Sequence, residues 1–87
     1  MSSYSLAIDR RVRKKDLINI PQNRRLKIVE TIGDLQQNPR PKNAIKLTNR
    51  EEYRLRVGIY RVLYVIDDKS KKVIVRKVAH RNEAYKV

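Results

Sequence analysis

The chain has 87 residues and carries 22 Lys and Arg against 9 Asp and Glu, which gives a formal net charge of +13. This length fits one domain, residues 1–87, and the self-repulsion of so much positive charge predicts a polyanionic partner, with nucleic acid the leading candidate. The sequence excludes disulfides because it has no cysteine, and its single histidine makes a dedicated metal site or cofactor unexpected. It also lacks an apolar run of about 20 residues and a signal peptide. We therefore expect a cytoplasmic protein without membrane contact.

The N-terminal half predicts one strand followed by two helices. Residues Tyr4 to Ile8 alternate apolar and small polar side chains, which is typical of a short strand. Asp9 can cap a weakly amphipathic helix from Arg10 to about Asn19, and Pro21 suits the first turn of a second helix that extends to Gln37. Apolar residues recur at three-residue steps along this second helix, at Leu26, Val29, Ile32 and Leu35. The segment from Lys42 to Glu52 shows no sustained period and predicts a loop.

The stretch from Glu52 to Asp68 predicts a β-hairpin that turns at a glycine. Arg54 and Arg56 alternate with apolar residues, so one face of the first strand is cationic. A two-residue turn at Val57-Gly58 would place Arg56 opposite Ile59 and Arg54 opposite Arg61. Like charges directly across two strands are destabilising, so a facing arginine pair indicates that a polyanion lies over it.

The last predicted strand, Lys72 to Ala79, is rich in β-branched residues and is expected to be central in a sheet. Residues His80 to Val87 then predict a helical turn or an irregular tail. The order βααβββ indicates an α+β domain, in which a small antiparallel sheet has the N-terminal helical pair packed on it.

Two stretches together, Tyr53 to Tyr64 and Val75 to Tyr85, closely resemble the RelE branch of the RelE/ParE toxin superfamily. The resemblance covers nearly the whole chain and implies the toxin of a type II toxin–antitoxin pair. Toxins of this branch cut mRNA in the ribosomal A site with basic residues and without a metal cofactor. The resemblance therefore implies a translation-inhibiting endoribonuclease whose partners are mRNA, the ribosome and an acidic, RelB-like antitoxin in a hetero-oligomer.

The resemblance also implies site residues. By position, Arg54 and Arg61 match the basic hairpin residues of the family's active surface, Arg81 the basic residue after the last strand, and Tyr85 the tyrosine near the C-terminus; these four are the expected catalytic residues. Because arginine meets two phosphate oxygens with a charge that does not titrate away, it suits a phosphate in the transition state. The expected RNA-binding residues are Arg56, His80, Arg76, Lys77, Arg13 and Lys14.

Several alternatives stay open from the residues alone. His80 has a titration range suited to proton transfer, yet a lone histidine at a strand end is commonly a packing or exposed residue. Tyr53, Tyr60 and Tyr64 are interpreted as sheet and core aromatics rather than base-stacking platforms. The basic run from Arg10 to Lys15 is either a solvated helix face or a ribosomal RNA contact. A ParE-like toxin that binds a topoisomerase and a plain basic nucleic-acid-binding module are the competing functions.

Overall fold

The fold is α+β, as predicted, and combines a five-stranded sheet with a helical layer on one face. The computed structural model describes residues 3–84. The elements in chain order are β1 Ser5–Ile8, a π-helical turn Val12–Asp16, α1 Gln22–Asp34, β2 Ala44–Lys46, β3 Tyr53–Val57, β4 Tyr60–Asp67, β5 Lys72–His80 and α2 Arg81–Ala84. Among the helices in this part of the chain, none is long and apolar enough to cross a membrane.

The sheet has the order β1-β5-β4-β3-β2 and is mixed rather than purely antiparallel. β1 pairs in parallel with β5, from Ser5 opposite Lys72 to Ile8 opposite Val75. The predicted strand at the N-terminus and the interior position of β5 are confirmed. The prediction of a loop from Lys42 to Glu52 is wrong in part, because the three residues of β2 pair with the outer edge of β3. So short an edge strand depends on its partner and leaves too little alternation to be recognised.

The core lies between the sheet and α1. Ile28 and Ile32 of α1 are buried against Leu55 of β3 and Val62 of β4. Leu26 and Val29 are instead 62% and 46% exposed. Because a helix turns about 100° per residue, steps of three drift around it, and four apolar residues spaced in this way cannot share one face.

The first predicted helix is present as a short, wide turn. Val12 is fully buried beneath it, and the amide of Leu17 donates to the carbonyl of Val12 at 2.8 Å, which is an i to i−5 bond. The predicted cap is confirmed, since the Asp9 carboxylate accepts the amide of Arg11 at 2.8 Å. π-helical turns are rare in proteins, and those that are found frequently lie at functional sites.

The hairpin forms with a register that differs from the prediction. Val57 pairs with Tyr60, so the turn residues are Gly58 and Ile59, and Arg56 rather than Arg54 lies opposite Arg61. Gly58 has φ +61°, which glycine adopts at the first position of a primed turn. The predicted turn would have placed β-branched Val57 in that strained conformation. Two arginines do face each other, but they are Arg56 and Arg61.

A polar network holds the other end of the sheet. Arg40 donates to Asp68 at 2.8 and 3.3 Å and to the hydroxyl of Tyr53 at 3.1 Å, while Tyr4 donates to Asp68 at 2.7 Å. The hydrogen bonds from Arg40, and to a smaller extent that from Tyr4, lower the pKa of Asp68 to about 2. Beneath them the buried hydroxyl of Tyr64 donates to the carbonyl of Pro39 at 2.7 Å, and burial raises the pKa of Tyr64 to about 12. Tyr53 and Tyr64 stack, which confirms them as sheet and core aromatics.

Candidate nucleic-acid interface

One face of the sheet is covered by helices, and the other carries a cluster of cations. Strand alternation directs Leu55 and Val62 toward α1 and therefore directs Arg54, Arg56 and Arg61 to the opposite face. Lys77 shares that face because it pairs with Leu63, which in turn pairs with Arg54. We call the surface formed by Arg54, Arg56, Arg61 and Lys77 the arginine face.

Arg61 occupies a buried position in this cationic surface. Arg61 is 6% exposed, and its neighbours on the same face, Leu63 along β4 and Ala79 opposite it on β5, are 3% and 4% exposed. Nη1 donates to the carbonyl of Tyr60 at 3.3 Å, and Nε is buried without a hydrogen-bond partner. Among the residues that the structure describes, Arg61 makes no ion pair. A buried guanidinium with a donor left unbonded is costly unless an anion completes its hydrogen bonding.

The neighbours of Arg61 add positive charge. Arg56 lies directly opposite it on β3 and is exposed. Side chains that face each other across antiparallel strands have Cβ atoms about 4.5 to 5.5 Å apart, so the two guanidinium groups can approach the same ligand atom. Arg54 is the diagonal neighbour of Arg61, two pairs further from the turn on the same face, and is partly buried. This geometry gives three cations on one small patch of two strands.

A β-bulge displaces the basic residues of β5. Leu63 pairs with Lys77 and Tyr64 with Val75, so Arg76 is the additional residue between them. Bulges bend a strand and change the direction of its side chains. Arg76 is exposed, whereas Lys77 is half-buried at the edge of the arginine face.

Arg81 follows β5 directly and opens α2. Its backbone amide donates to the carbonyl of Ile59 at 2.8 Å, which fixes its backbone beside the hairpin turn. α2 contacts both β4 and β5, so Arg81 lies at the end of the sheet where Arg56 and Arg61 pair. The remaining expected catalytic residue, Tyr85, lies outside the described residues.

His80 lies on a different side of the sheet from the arginines. It pairs with Tyr60, which pairs with Val57 on the face toward α1, and its ring contacts that of Tyr60 edge-on at 5.9 Å. Nδ1 accepts the backbone amide of Asn82 at 3.3 Å. A neutral ring that accepts at Nδ1 carries its proton at Nε2, so His80 in this arrangement offers a donor rather than a base.

The basic N-terminal run forms a separate exposed surface. Arg13 and Lys14 lie on the π-helical turn with their side chains exposed to solvent. This turn packs against β5. In the region from residue 3 to residue 84, no three histidine or acidic side chains come together in a way that could hold a metal ion.

One residue that sequence reasoning did not single out joins these surfaces. Asp16 is the acid that ends the basic run, and its Oδ2 accepts the backbone amide of Val78 at 3.1 Å while Oδ1 lies 3.6 Å from Nζ of Lys77. A single carboxylate directly after six residues with five cations was the signal available in the sequence, but its target on β5 depends on the tertiary fold.

Comparisons with known proteins agree with this architecture. A sequence model of the family described as the ParE toxin of the type II toxin–antitoxin system parDE matches residues 7–85. The chain is 36% identical, over 87 residues, to the Methanocaldococcus jannaschii protein named Putative toxin RelE1, and the match covers 95% of this chain and 96% of that protein.

Two crystal structures of complexes contain chains of the same fold. The first is the archaeal RelE–RelB complex from Pyrococcus horikoshii, with a TM-score of 0.81 and 29% identity over 91% of this chain and 96% of that chain. The second is the toxin–antitoxin complex RelBE2 from Mycobacterium tuberculosis, with a TM-score of 0.79 and 30% identity over 91% of this chain and 99% of that chain. The chain therefore belongs to the RelE/ParE superfamily of toxins of type II toxin–antitoxin systems.

Proposed function

We propose that this chain is a toxin that inhibits translation by cutting mRNA on the ribosome, without a metal cofactor. RNA carries its own nucleophile, the 2′-hydroxyl, so a protein can cleave it by assisting attack of that oxygen on the adjacent phosphorus. The 2′-oxygen–phosphorus bond forms, the bond from phosphorus to the 5′-oxygen breaks, and the proton lost by the 2′-hydroxyl is balanced by one gained by the leaving oxygen. Fixed cations are needed where charge grows on the phosphate.

The observation that carries the proposal is the state of Arg61. Its side chain is buried, its Nε has no partner within residues 3–84, and a second arginine lies directly opposite. Such an arrangement is costly in the free protein and becomes favourable once an anion is bound. A phosphate in the transition state would meet a cation that is already held among buried neighbours, and a preorganised charge of this kind stabilises developing negative charge strongly.

The other residues take roles around this phosphate. In the proposed mechanism Arg54 and Arg81 contact further phosphate oxygens, and Tyr85 transfers a proton to or from the reacting oxygens. His80 contributes as a hydrogen-bond donor to RNA, because its Nδ1 already accepts a backbone amide. Arg56, Arg76 and Lys77 hold neighbouring phosphates of the mRNA, and Arg13 and Lys14 contact ribosomal RNA.

We further propose that an acidic antitoxin binds this chain and suppresses it. The net charge of +13 favours an acidic partner, as does Arg61, which has no ion pair within the described part of the chain, and the structures similar to this chain include RelE–RelB complexes. Acidic side chains laid over the arginine face would neutralise it and prevent its access to mRNA. Co-expression with the antitoxin should restore growth to cells that produce this chain.

The matching family sequence model favours a second candidate function. It is named for ParE toxins, and a ParE-like member would bind a topoisomerase without cutting RNA. That role does not require a buried arginine with an unbonded donor, because binding between folded proteins does not stabilise a reacting phosphate. Cleavage of mRNA on the ribosome and binding to a topoisomerase therefore predict opposite results in assays with purified components.

The deciding experiment compares two activities of the same preparation. The purified chain is added to ribosomes programmed with a defined mRNA, and separately to a topoisomerase in a DNA supercoiling assay. We expect cleavage of mRNA on the ribosome and no effect on supercoiling. Inhibition of supercoiling with intact mRNA would refute the nuclease proposal and support the ParE-like alternative.

A further inference from the structure

The outer edge of β5 changes partner halfway along the strand. On one side β5 pairs with β4 from Lys72 to His80, whereas on the other side β1 ends opposite Val75. The amide of Asp9 donates to the carbonyl of Val75 at 2.8 Å and closes that ladder. Beyond this point β1 offers no further partner to the segment of β5 that leads into Arg81.

The carboxylate of Asp16 provides a hydrogen-bond acceptor where β5 has no neighbouring strand on this side. Its side chain is 9% exposed, and its Oδ2 accepts the amide of Val78 at 3.1 Å. A buried backbone amide requires a partner, and a carboxylate provides a stronger hydrogen bond than a neutral acceptor does. Oδ1 of the same group lies 3.6 Å from Nζ of Lys77, so one carboxylate contacts two successive residues of β5.

The π-helical turn is what presents this carboxylate to the strand. Val12 at the start of the turn is fully buried and Leu17 just after it is 8% exposed, which anchors both ends in the core. Asp16 lies between these anchors, and the turn packs directly on β5.

We propose that Asp16 is a positioning residue for the end of β5, and through it for Arg81 and the arginine face. Arg81 is then held from two sides, since its amide donates to Ile59 of the hairpin turn and the strand before it is bound by Asp16. Lys77 is held at the edge of the arginine face by the same carboxylate. This inference rests on the proposed nuclease function, because its consequence for RNA is a cleavage rate.

The decisive comparison uses three variants of the full chain. Asp16→Ala removes the acceptor and the charge, Asp16→Asn keeps an oxygen that can accept the amide of Val78, and Glu30→Ala removes an equal charge from an exposed site on α1. We expect Asp16→Ala to lower single-turnover cleavage on saturated ribosomes by about 10- to 100-fold, because small displacements of catalytic groups have effects of this size. Its apparent KM should change much less. Asp16→Asn should recover most of the rate, and Glu30→Ala should behave as wild type.

Hydrogen exchange at the amide of Val78 provides a measurement independent of activity. Exchange should accelerate in Asp16→Ala and stay slow in Asp16→Asn and Glu30→Ala, with little change at core amides such as that of Val62. If the wild-type chain cuts no RNA, the nuclease proposal fails while the exchange data still test the contact. Wild-type cleavage rates in Asp16→Ala, or equal loss of rate in Asp16→Ala and Asp16→Asn, would overturn the positioning role. Should Asp16→Ala not fold, rapid exchange of Val78 in Asp16→Asn would overturn it.

Discussion

Replacement of Arg61 by methionine should separate the stability of this protein from its activity. Methionine retains an unbranched side chain that can fill the buried site, and it removes the guanidinium. In the free protein that group has a buried Nε without a partner among the described residues and faces Arg56 across the hairpin. We therefore expect Arg61→Met to maintain or raise the free energy of unfolding while it abolishes most cleavage.

The size of each effect follows from the geometry. A buried donor without a partner costs about 1 to 3 kcal/mol, and relief of this cost offsets the loss of the single 3.3 Å bond to the carbonyl of Tyr60, which is worth about 1 kcal/mol. The free energy of unfolding should thus change by between about 0 and +2 kcal/mol. Loss of a preorganised charge in the transition state is worth about 3 to 4 kcal/mol, which lowers the rate by roughly 10² to 10³.

The assays are urea unfolding and single-turnover cleavage on saturated ribosomes. Arg40→Met is the matched control, because the guanidinium of Arg40 is bound by Asp68 and Tyr53, at the end of the hairpin opposite the Arg56–Arg61 pair. This control should lose stability and retain cleavage, the reverse of Arg61→Met. A large loss of stability in Arg61→Met together with an unchanged cleavage rate would show that Arg61 is a structural residue and would refute the reasoning.

Three further predictions concern other parts of the molecule. Tyr64→Phe removes the bond to the carbonyl of Pro39 and should lower the free energy of unfolding by about 1 kcal/mol at neutral pH; equal stability would contradict this. The lowered pKa of Asp68, about 2 against 3.8, stabilises the fold above pH about 4, and this contribution disappears toward pH 2. The urea midpoint of Asp68→Asn should not show this loss of stability between pH about 4 and pH about 2. A pH dependence of the midpoint identical to that of the wild type would refute the prediction. Removing the charges of Arg13 and Lys14 together should weaken ribosome binding and reduce its salt slope by about 2; an unchanged slope would place both residues away from RNA.

Much of the fold follows from local pattern, and the errors have physical causes. Alternation in the hairpin correctly placed Arg54 and Arg56 on the face opposite the core. The predicted register of the hairpin is wrong because it places the turn at Val57-Gly58, one residue too early. The β-branched side chain of Val57 disfavours the positive φ that the first turn residue needs, whereas Gly58 tolerates it. That error was avoidable from the sequence.

Other features depend on partners distant in the chain. β2 exists because the edge of β3 is free to pair, and nothing in its three residues indicates this. The burial of Arg61 depends on neighbouring elements, since alternation predicts only the side of the sheet on which it lies. Asp16 was noticeable as an acid after a basic run, but the amide that it binds is 62 residues away.

The central claim, that mRNA is cut by attack of its own 2′-oxygen at the arginine face, is tested most directly by the ends of the products. Wild-type chain and Arg61→Met are incubated with ribosomes that carry an mRNA of defined sequence, and the fragments are identified by mass. We predict that the wild type leaves 2′,3′-cyclic phosphate and 5′-hydroxyl ends and that Arg61→Met leaves almost no fragments. Fragments with 5′-phosphate ends would contradict the claim, because they require attack by water and departure of the opposite oxygen.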